Sequence, residues 1–341
     1  MNLTSYEVVK RAVEFGSPAR VGLRFPSLGV SDIFRIFPQK PRRQRLVNDA
    51  LPDMTKKVRP ASGDMDEWGC WWETVAGAVG EDMGQVTVHP LADWECFASF
   101  PFPDPMAEGR FDGLAEVLAV SKDRYVQLNS PFCLFERMHF MRGLDRLMLD
   151  LIEQPGEVER LADQVIAYQV GMVEQAAALG KGRIHCFDTT DDWGTQTGLM
   201  INPKVWRAIF KPRYYHLAEA IHRAGMHFRF HIDGKVNSIL MDLVEIGVDI
   251  INIHQPRLVG IEEVGRLLRG KICFEAAVDI QSTLPGGDRA KIEDEVRLLV
   301  EHWATPKGGL IGVEYRDLKA IGATRQSLAW ALEAFQKFGN L

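Results

Sequence analysis

The sequence predicts an α/β fold, a (β/α)8 TIM barrel with a long insertion after its first strand. Strand and helix patterns alternate along most of the chain, which implies a parallel sheet with right-handed crossovers. The length of 341 residues accommodates a barrel of ~250 residues together with an insertion. Side chains that suit ligand binding also follow several strands, and the carboxyl ends of parallel strands are where such folds carry out chemistry.

The elements follow from hydrophobic periodicity. Strands are predicted at 21–25, 125–129, 183–189, 227–232, 250–255, 272–278 and 310–315. Amphipathic helices are predicted near 141–152, 155–179, 203–225, 235–246, 260–269, 288–304 and 324–337. Asn202 with Pro203 and, further along, Asp288 are helix-start signals, and Thr4 with Glu7 forms a capping box.

Residues 26–120 lack this alternation and are rich in proline. We expect them to form short hairpins and loops over the barrel mouth, within a single domain that spans residues 1–341. The segment contains DEWGCWW at 66–72. Its Trp68 and Trp72 either fill a small core beneath the loops or form an aromatic wall over an apolar substrate.

Composition excludes several classes of partner. A net charge of −6 without a long basic run argues against nucleic acid. Five cysteines without a CxxC pair favour the reduced thiols of a cytoplasmic protein. No stretch approaches the roughly 20 apolar residues of a membrane span, so no membrane association is expected.

The most informative stretch surrounds His231 and Asp233. They end one predicted strand, and Asn252, His254 and Gln255 end the next. Residues two positions apart on a strand point to the same face, so His231 and Asp233 can reach one metal ion. Imidazole and carboxylate are zinc ligands, and an open coordination position makes such a site catalytic. The alternative is a hydrogen-bonded pair that only orders a loop.

Other strand ends supply further candidates. Asp188 ends a strand and is followed by Asp191, Asp192 and Trp193. Three acids this close together require a cation, hydrogen-bond donors or water, although Asp191 and Asp192 can instead act as caps.

The last two predicted strands carry Glu275, and then Glu314 with Tyr315. The HExxH, GxSxG, Walker A and GxGxxG patterns are absent from the sequence. Zinc-protease, serine-hydrolase, P-loop and dinucleotide-binding interpretations therefore have no support.

Several segments resemble the uroporphyrinogen decarboxylase superfamily, which includes cobalamin-linked methyltransferases. They are RAVEFGSPARV, DEWGCWW, VHPLADWECFASFPFPDP, DDWGTQTGLMINPKVWRAIFKPRY, FRFHIDGKV, LVEIGVDIINIHQP and CFEAAVDIQSTLP, within residues 11–285. The resemblance implies a TIM barrel.

Two departures from the family patterns bear on the reaction. Decarboxylases carry an RQAGRY-like segment after the first strand, where this chain has GLRFPSLGV with Arg24 alone. The zinc methyltransferases carry an HxC pair and a second cysteine on the last strand. Here His231 matches, Asp233 replaces the first cysteine, and Glu314 lies near the second. A histidine and carboxylate zinc site is a harder Lewis acid, which suits an ether oxygen.

The resemblance implies the methyltransferase component of a corrinoid-dependent O-demethylating system. It would move a methyl group from a small methoxylated donor, expected to be aromatic, to cob(I)alamin on a corrinoid protein partner. The expected zinc ligands are His231 and Asp233, helped by Glu275 or Glu314, and Asp188 and Tyr315 would orient or protonate the leaving group. The expected substrate contacts are Arg24, Trp68, Trp72, Asp192, Trp193, Asn252 and His254.

Two alternatives stay open. One is a cofactor-free decarboxylase of the uroporphyrinogen type, in which Asp188 or Asp191 stabilises a protonated pyrrole. The other is a non-catalytic ligand-binding barrel, which the replacement of both expected cysteines favours.

Overall fold

Eight parallel strands form the centre of the structure, a computed structural model that describes residues 3–44, 53–57, 62–74 and 84–341. They are β1 (Gly22–Phe25), β2 (Ile33–Ile36), β3 (Tyr125–Asn129), β4 (Cys186–Thr190), β5 (His227–His231), β6 (Ile250–Ile253), β7 (Cys273–Ala276) and β8 (Leu310–Val313). Around the sheet β1 is followed by β8, and then in descending order by β7 to β2. The strands form a nearly closed barrel, which confirms the predicted fold class.

Helices surround this sheet. They are Ser5–Val13, Leu114–Ser121, Phe135–Arg142, Leu144–Glu153, Pro155–Gly180, Pro203–Ile209, Lys211–Arg223, Leu240–Ile246, Pro256–Val259, Ile261–Leu268, Thr283–Gly286, Arg289–Trp303 and Arg325–Phe338. The predicted capping box at Thr4 is present, and Asn202 and Asp288 cap their helices through their side chains. The helix predicted near 203–225 is two helices, because Pro212 has no N–H to continue the helical ladder.

Strand β2 lies inside the segment that the sequence pattern assigns to the insertion. The chain leaves β1, forms a short 3-10 helix at Pro26–Leu28 and reverses at Gly29 (φ +78°). It then pairs antiparallel to β1 through Val30–Ser31 and enters β2 without an α-helix. The strand is hard to recognise because Arg35 stands in the middle of a short apolar run. The long insertion therefore follows β2 and contains a small antiparallel sheet. Its strands are Asp64–Met65, Trp71–Glu73 and Gln85–Val88.

Asp32 joins the two edges of the barrel sheet. Its backbone N–H donates to the Leu23 carbonyl of β1 (2.8 Å), and its carbonyl accepts the Tyr125 N–H of β3 (2.9 Å). Its buried carboxylate accepts the Leu23 N–H (2.9 Å) and two bonds from Arg20 (2.7 and 2.8 Å). One side chain thus holds the seam between β1, β2 and β3.

The core lies between the sheet and the helices. The Trp303 ring stacks on Phe274 of β7 with a centroid separation of 4.4 Å, and its Nε1 donates to the Ile261 carbonyl (2.8 Å). Gly312 of β8 is needed because a Cβ there would lie 2.7 Å from the Phe335 ring. All five cysteines are free thiols, and no helix in the described ranges is long and apolar enough to cross a bilayer.

We predict that Asp32→Ala lowers the free energy of unfolding by about 2–4 kcal/mol, because it leaves Arg20 and the Leu23 N–H without their buried acceptor. Urea denaturation measures this change. The control is Glu157→Ala, which breaks a more exposed pair with Arg160 and should cost no more than about 0.5 kcal/mol. Equal, small effects of the two substitutions would show that Asp32 does not hold the seam.

Candidate metal and substrate site

Charged side chains alternate in sign across the inside of the barrel. Arg24 of β1 contacts Glu275 of β7 (Nε to Oε1, 2.7 Å), and Arg229 of β5 contacts the other oxygen of Glu275. Arg229 also contacts Asp188 of β4 (Nη1 to Oδ1, 2.5 Å), and Arg35 of β2 contacts the second oxygen of Asp188. We call these five residues the interior ion chain.

The interior ion chain fixes the charge state of its two acids. Burial alone would raise the pKa of Glu275, but Arg229 and Arg24 hold it far below its usual range. Burial would also raise the pKa of Asp188, but the charges of Arg229 and Arg35 outweigh this effect and lower the pKa below its usual value. Two predicted roles need correction as a result. Asp188 is an ion-paired anion rather than a proton donor, and both oxygens of Glu275 are paired with arginines.

Three side chains converge at the ends of β5 and β6. His231 ends β5, Asp233 follows two residues later, and His254 comes directly after β6. One potential ligand atom from each lies within 4.8 Å of the other two. Asp233 Oδ2 is 3.6 Å from His231 Nε2 and 3.9 Å from His254 Nδ1. We call these residues the His–Asp–His cluster. His254 stands where the sequence suggested Glu275 or Glu314.

Asn252 orients His231. The Asn252 amide nitrogen donates to the backbone carbonyl of Glu275 (2.8 Å), so its oxygen faces His231 Nδ1 at 2.7 Å. Because an amide oxygen can only accept, Nδ1 carries a proton, and Nε2 is the nitrogen that faces Asp233. Metal-binding histidines are usually held by such a bond through their second nitrogen. Asn252 thus orients His231, a candidate metal ligand, whereas the sequence suggested that Asn252 contacts the substrate.

The donor set of the His–Asp–His cluster fits a divalent metal. Metal–ligand bonds of about 2.0–2.1 Å in tetrahedral geometry place ligand atoms roughly 3.3 Å apart, so small side-chain rotations close the observed gaps. Burial lowers the pKa of His254 well below its usual value, which keeps the imidazole neutral. Burial raises the pKa of Asp233 to about 6, which still leaves a carboxylate at neutral pH. Two imidazoles and a carboxylate suit zinc or iron(II).

Asp192 and Tyr315 flank the cluster. The Asp192 carboxylate accepts the Asp233 N–H (2.9 Å) and lies 3.8 Å from His231 Nε2. The Tyr315 ring packs edge-on against His254 with a centroid separation of 5.3 Å. Burial raises the pKa of Tyr315, and the charge of Asp233 raises it further, so its hydroxyl stays protonated. A hydroxyl donor and a carboxylate acceptor are therefore next to the cluster.

Two glycines hold the loops after β4 and β5 against each other. A Cβ at Gly234 would lie 2.3–2.5 Å from the backbone of Gly194, and Gly234 has φ +85°. The Gly234 N–H also donates to the side-chain oxygen of Gln255 (3.0 Å). This close approach sets the position of Asp233, which precedes Gly234 in the chain.

Three predicted site residues lie outside the cluster. Trp193 is fully buried, stacks on Phe135 (4.1 Å between centroids) and donates from Nε1 to Tyr214 (2.9 Å). It is a core residue and not part of a substrate wall. Glu314 accepts bonds from the Ser27 N–H (3.1 Å) and hydroxyl (2.6 Å), so it is not in the cluster. Arg24 belongs to the interior ion chain and not to a substrate contact.

Trp68 and Trp72 line a cavity of about 540 Å³ beneath the insertion. Its other walls include Phe132 and Tyr168, from the segment after β3 and from helix Pro155–Gly180. The Asp66 carboxylate accepts hydrogen bonds from Trp72 Nε1 (3.0 Å) and Arg137 Nη1 (2.9 Å). These bonds hold Trp72 in the cavity wall. We call this space the insertion cavity. Both tryptophans are buried and both line the cavity, and their contact with a substrate stays a prediction.

Thr190 connects the insertion cavity with the His–Asp–His cluster. Its hydroxyl oxygen accepts the N–H of Phe132, a cavity residue, at 3.0 Å. Its hydroxyl donates to Glu136 Oε2 (2.7 Å), and Thr190 pairs with His231 across the sheet. Phe132 has φ +61°, a left-handed backbone that is strained for a bulky side chain and often marks functional sites. Thr190, the last residue of β4, and Glu136, in the first turn of helix Phe135–Arg142, are not among the site residues predicted from the sequence.

The sequence profile of a known family also matches this chain. The family is uroporphyrinogen decarboxylase (URO-D), and the match covers residues 78–312, which is more than half of the chain. The chain belongs to the uroporphyrinogen decarboxylase (URO-D) family. This membership confirms the resemblance that the sequence segments suggested. No curated protein matches the sequence.

The URO-D barrel is similar to solved structures of low sequence identity. A methyltransferase from Methanosarcina mazei has 16% identity and a TM-score of 0.61, over 80% of this chain and 76% of that chain. A D-psicose 3-epimerase, solved in the presence of D-fructose, has 13% identity and a TM-score of 0.42, over 65% of this chain and 83% of that chain. At these identities the likeness to the methyltransferase establishes a shared fold.

We predict that Gly234→Ala destabilises the protein by more than about 1 kcal/mol, because the new methyl group meets the Gly194 backbone and φ is positive. The matched control is Gly156→Ala in helix Pro155–Gly180, where a Cβ meets nothing within 4 Å. This control should leave stability unchanged or raise it by up to about 1 kcal/mol. Denaturant titration of both variants tests the contact, and a neutral Gly234→Ala would contradict it.

Proposed function

We propose that this URO-D family protein is a corrinoid-dependent methyltransferase. It moves a methyl group from a small methoxylated donor, an aromatic one, to cob(I)alamin carried by a corrinoid protein partner. The observation that carries the proposal is the His–Asp–His cluster, a metal-type donor set at the carboxyl ends of the barrel strands. Family membership and the fold shared with a protein named a methyltransferase support it.

His231, Asp233 and His254 would hold the metal. A zinc or iron(II) ion held by these residues would act as a Lewis acid that polarises the donor oxygen and so weakens its bond to the methyl carbon. Asn252 keeps the His231 lone pair directed at that position through its bond to Nδ1. A site without thiolates is a harder Lewis acid than the family's cysteine sites, and it therefore suits an oxygen donor better than a sulfur one.

Tyr315 and Asp192 would orient the donor beside the metal. The Tyr315 hydroxyl stays protonated and can donate a hydrogen bond to an ether oxygen. Asp192 is anchored by the Asp233 N–H and is 42% exposed, so its carboxylate reaches the open side of the cluster. Both side chains therefore favour a neutral donor with one polar end.

The insertion cavity would hold the ring of the donor. Trp72, Phe132 and Tyr168 supply aromatic faces, which attract planar aromatic groups in offset or edge-on geometry. A volume of about 540 Å³ lies within the range of small-molecule sites. No cluster residue lines the cavity; the connection is Thr190, which accepts the N–H of the cavity residue Phe132 and is the strand neighbour of His231.

The interior ion chain argues against uroporphyrinogen as substrate. A substrate with eight carboxylates requires several cations at the barrel mouth. Arg24 and Arg35 are paired with Glu275 and Asp188, and Asp192 adds a negative charge near the cluster. The two arginines that line the insertion cavity, Arg110 and Arg137, are paired with Glu67 and Asp66. Methyl transfer from a neutral donor agrees better with this distribution of charge.

We predict that His231→Ala, Asp233→Ala and His254→Ala each reduce bound zinc or iron by more than about 10-fold in protein purified without chelator. Each should also abolish methylcobalamin formation from cob(I)alamin and a panel of methyl ethers. Elemental analysis and the visible spectrum of the corrinoid measure the two effects. The control is His222→Ala, which alters a surface pair with Asp249 and should change neither.

Glu275→Gln separates the ligand set given by the structure from the one suggested by the sequence. The variant should keep its metal and lose stability, because Arg24 and Arg229 lose a buried partner. Loss of metal in Glu275→Gln together with full metal in His254→Ala would overturn the assignment. A wild-type protein without metal and without methyl transfer to the corrinoid would overturn the proposed function.

We predict that Trp72→Leu raises the KM for methoxylated aromatic donors by roughly 10-fold, because it removes an aromatic contact of about 1 kcal/mol or more. The KM for methanol, which has no ring, should stay unchanged. Trp71→Leu is the matched control, since the neighbouring Trp71 is exposed and does not line the cavity. An equal effect of Trp72→Leu on both kinds of donor would contradict ring binding in the cavity.

A further inference from the structure

Glu136 is connected through Thr190 with a residue of the insertion cavity and with His231 of the His–Asp–His cluster, the strand neighbour of Thr190. It is half-buried in the first turn of helix Phe135–Arg142. Its Oε2 accepts the hydroxyl of Thr190 (2.7 Å), and Thr190 is the direct neighbour of His231 in the sheet. The same hydroxyl oxygen accepts the N–H of Phe132, which lines the cavity. Thr190 thus joins Glu136 to Phe132 through hydrogen bonds and is paired with His231 in the sheet.

The backbone of Glu136 is fixed by Asp191. The Asp191 carboxylate accepts the N–H groups of Leu134 (2.9 Å), Phe135 (2.8 Å) and Glu136 (2.7 Å). This arrangement satisfies the first free N–H groups of the helix and ties its start to the loop after β4. Asp191 is therefore occupied as a structural acceptor, and Glu136 is held in one position relative to the cluster.

The surroundings of Glu136 favour the neutral acid. Burial raises its pKa well above the usual value, and the charges of Asp192 and Asp191 raise it further. The Thr190 hydrogen bond and Lys57 of the insertion oppose this shift without cancelling it. Because Oε2 is engaged by Thr190, Oε1 is the oxygen left to carry the proton.

We propose that Glu136 is the general acid that protonates the oxygen released from the methyl donor, an inference that rests on the proposed methyl transfer. The bond between the methyl carbon and the donor oxygen breaks, and its electron pair stays on the oxygen. The proton on Glu136 Oε1 moves to that oxygen, which gives a free phenol or alcohol and a Glu136 carboxylate. The new methyl–cobalt bond takes both its electrons from cob(I)alamin, and water returns a proton to Glu136.

Other acidic groups near the site are less suited to this step. Asp188 is held as an anion by Arg229 and Arg35. Asp191 accepts three backbone N–H groups and the hydroxyl of Tyr214. Tyr315 has a raised pKa, which makes it a weaker proton donor than a carboxylic acid.

Glu136→Gln tests the assignment, because the amide can still accept the Thr190 hydroxyl but cannot donate an acidic proton. The variant is compared with wild type on two methyl aryl ethers, one with an unsubstituted phenol as leaving group and one with a nitrophenol. We expect kcat for the phenol ether to fall by roughly 10²–10⁴-fold. We expect kcat for the nitrophenol ether to change far less, since nitrophenolate leaves without a proton. Metal content should be unchanged, and Glu157→Gln on the outer surface is the control.

Each outcome is decisive. An equal loss of kcat with both ethers would overturn the proposal, because it would indicate a structural role only. If the wild type transfers no methyl group, the proposed function fails, and infrared spectroscopy tests the protonation state of Glu136 independently. The wild-type minus Glu136→Gln difference spectrum at pH 7 should then show the carbonyl band of a protonated carboxylic acid. A carboxylate band in its place would overturn the general-acid assignment.

Discussion

The interior ion chain is the interaction on which the site depends. It places three guanidinium groups and two carboxylates where a barrel interior usually holds branched apolar side chains. Burying these charges is unfavourable unless every one is paired, and removing one partner typically costs about 3–5 kcal/mol. The alternation of sign therefore locks β1, β2, β4, β5 and β7 into one relative arrangement.

A row of side chains at one level of the sheet carries this order to the candidate metal site. Thr190, His231, Asn252 and Glu275 are direct neighbours across β4, β5, β6 and β7. The side chain of Glu275 belongs to the ion chain, while its backbone carbonyl holds Asn252, and Asn252 holds His231. On the other side of His231, Thr190 positions Glu136. The interior ion chain, the orientation of His231 and the position of the proposed proton donor Glu136 thus depend on one another through this row of neighbours.

The barrel was predictable from sequence because its strands and helices repeat with clear periods. Strand β2 was not, since Arg35 points a charge into the barrel and hides the apolar pattern. The pairing of His231 with Asp233 follows from their spacing on one strand. The spacing does not predict that His254 joins the cluster. It also does not predict that Glu275 stays outside it, because this depends on which arginines reach Glu275 across the barrel interior. Trp193 was misassigned because the chain turns back into the core three residues after β4 ends.

X-ray absorption spectroscopy of the metal-loaded protein tests the central claim most directly, because imidazole rings give a distinctive outer-shell scattering that can be counted. The arrangement of His231, Asp233 and His254 predicts a first shell of nitrogen and oxygen only, with two imidazoles per metal. A shell with a single imidazole, or one that contains sulfur, would contradict the His–Asp–His site and the account built on it.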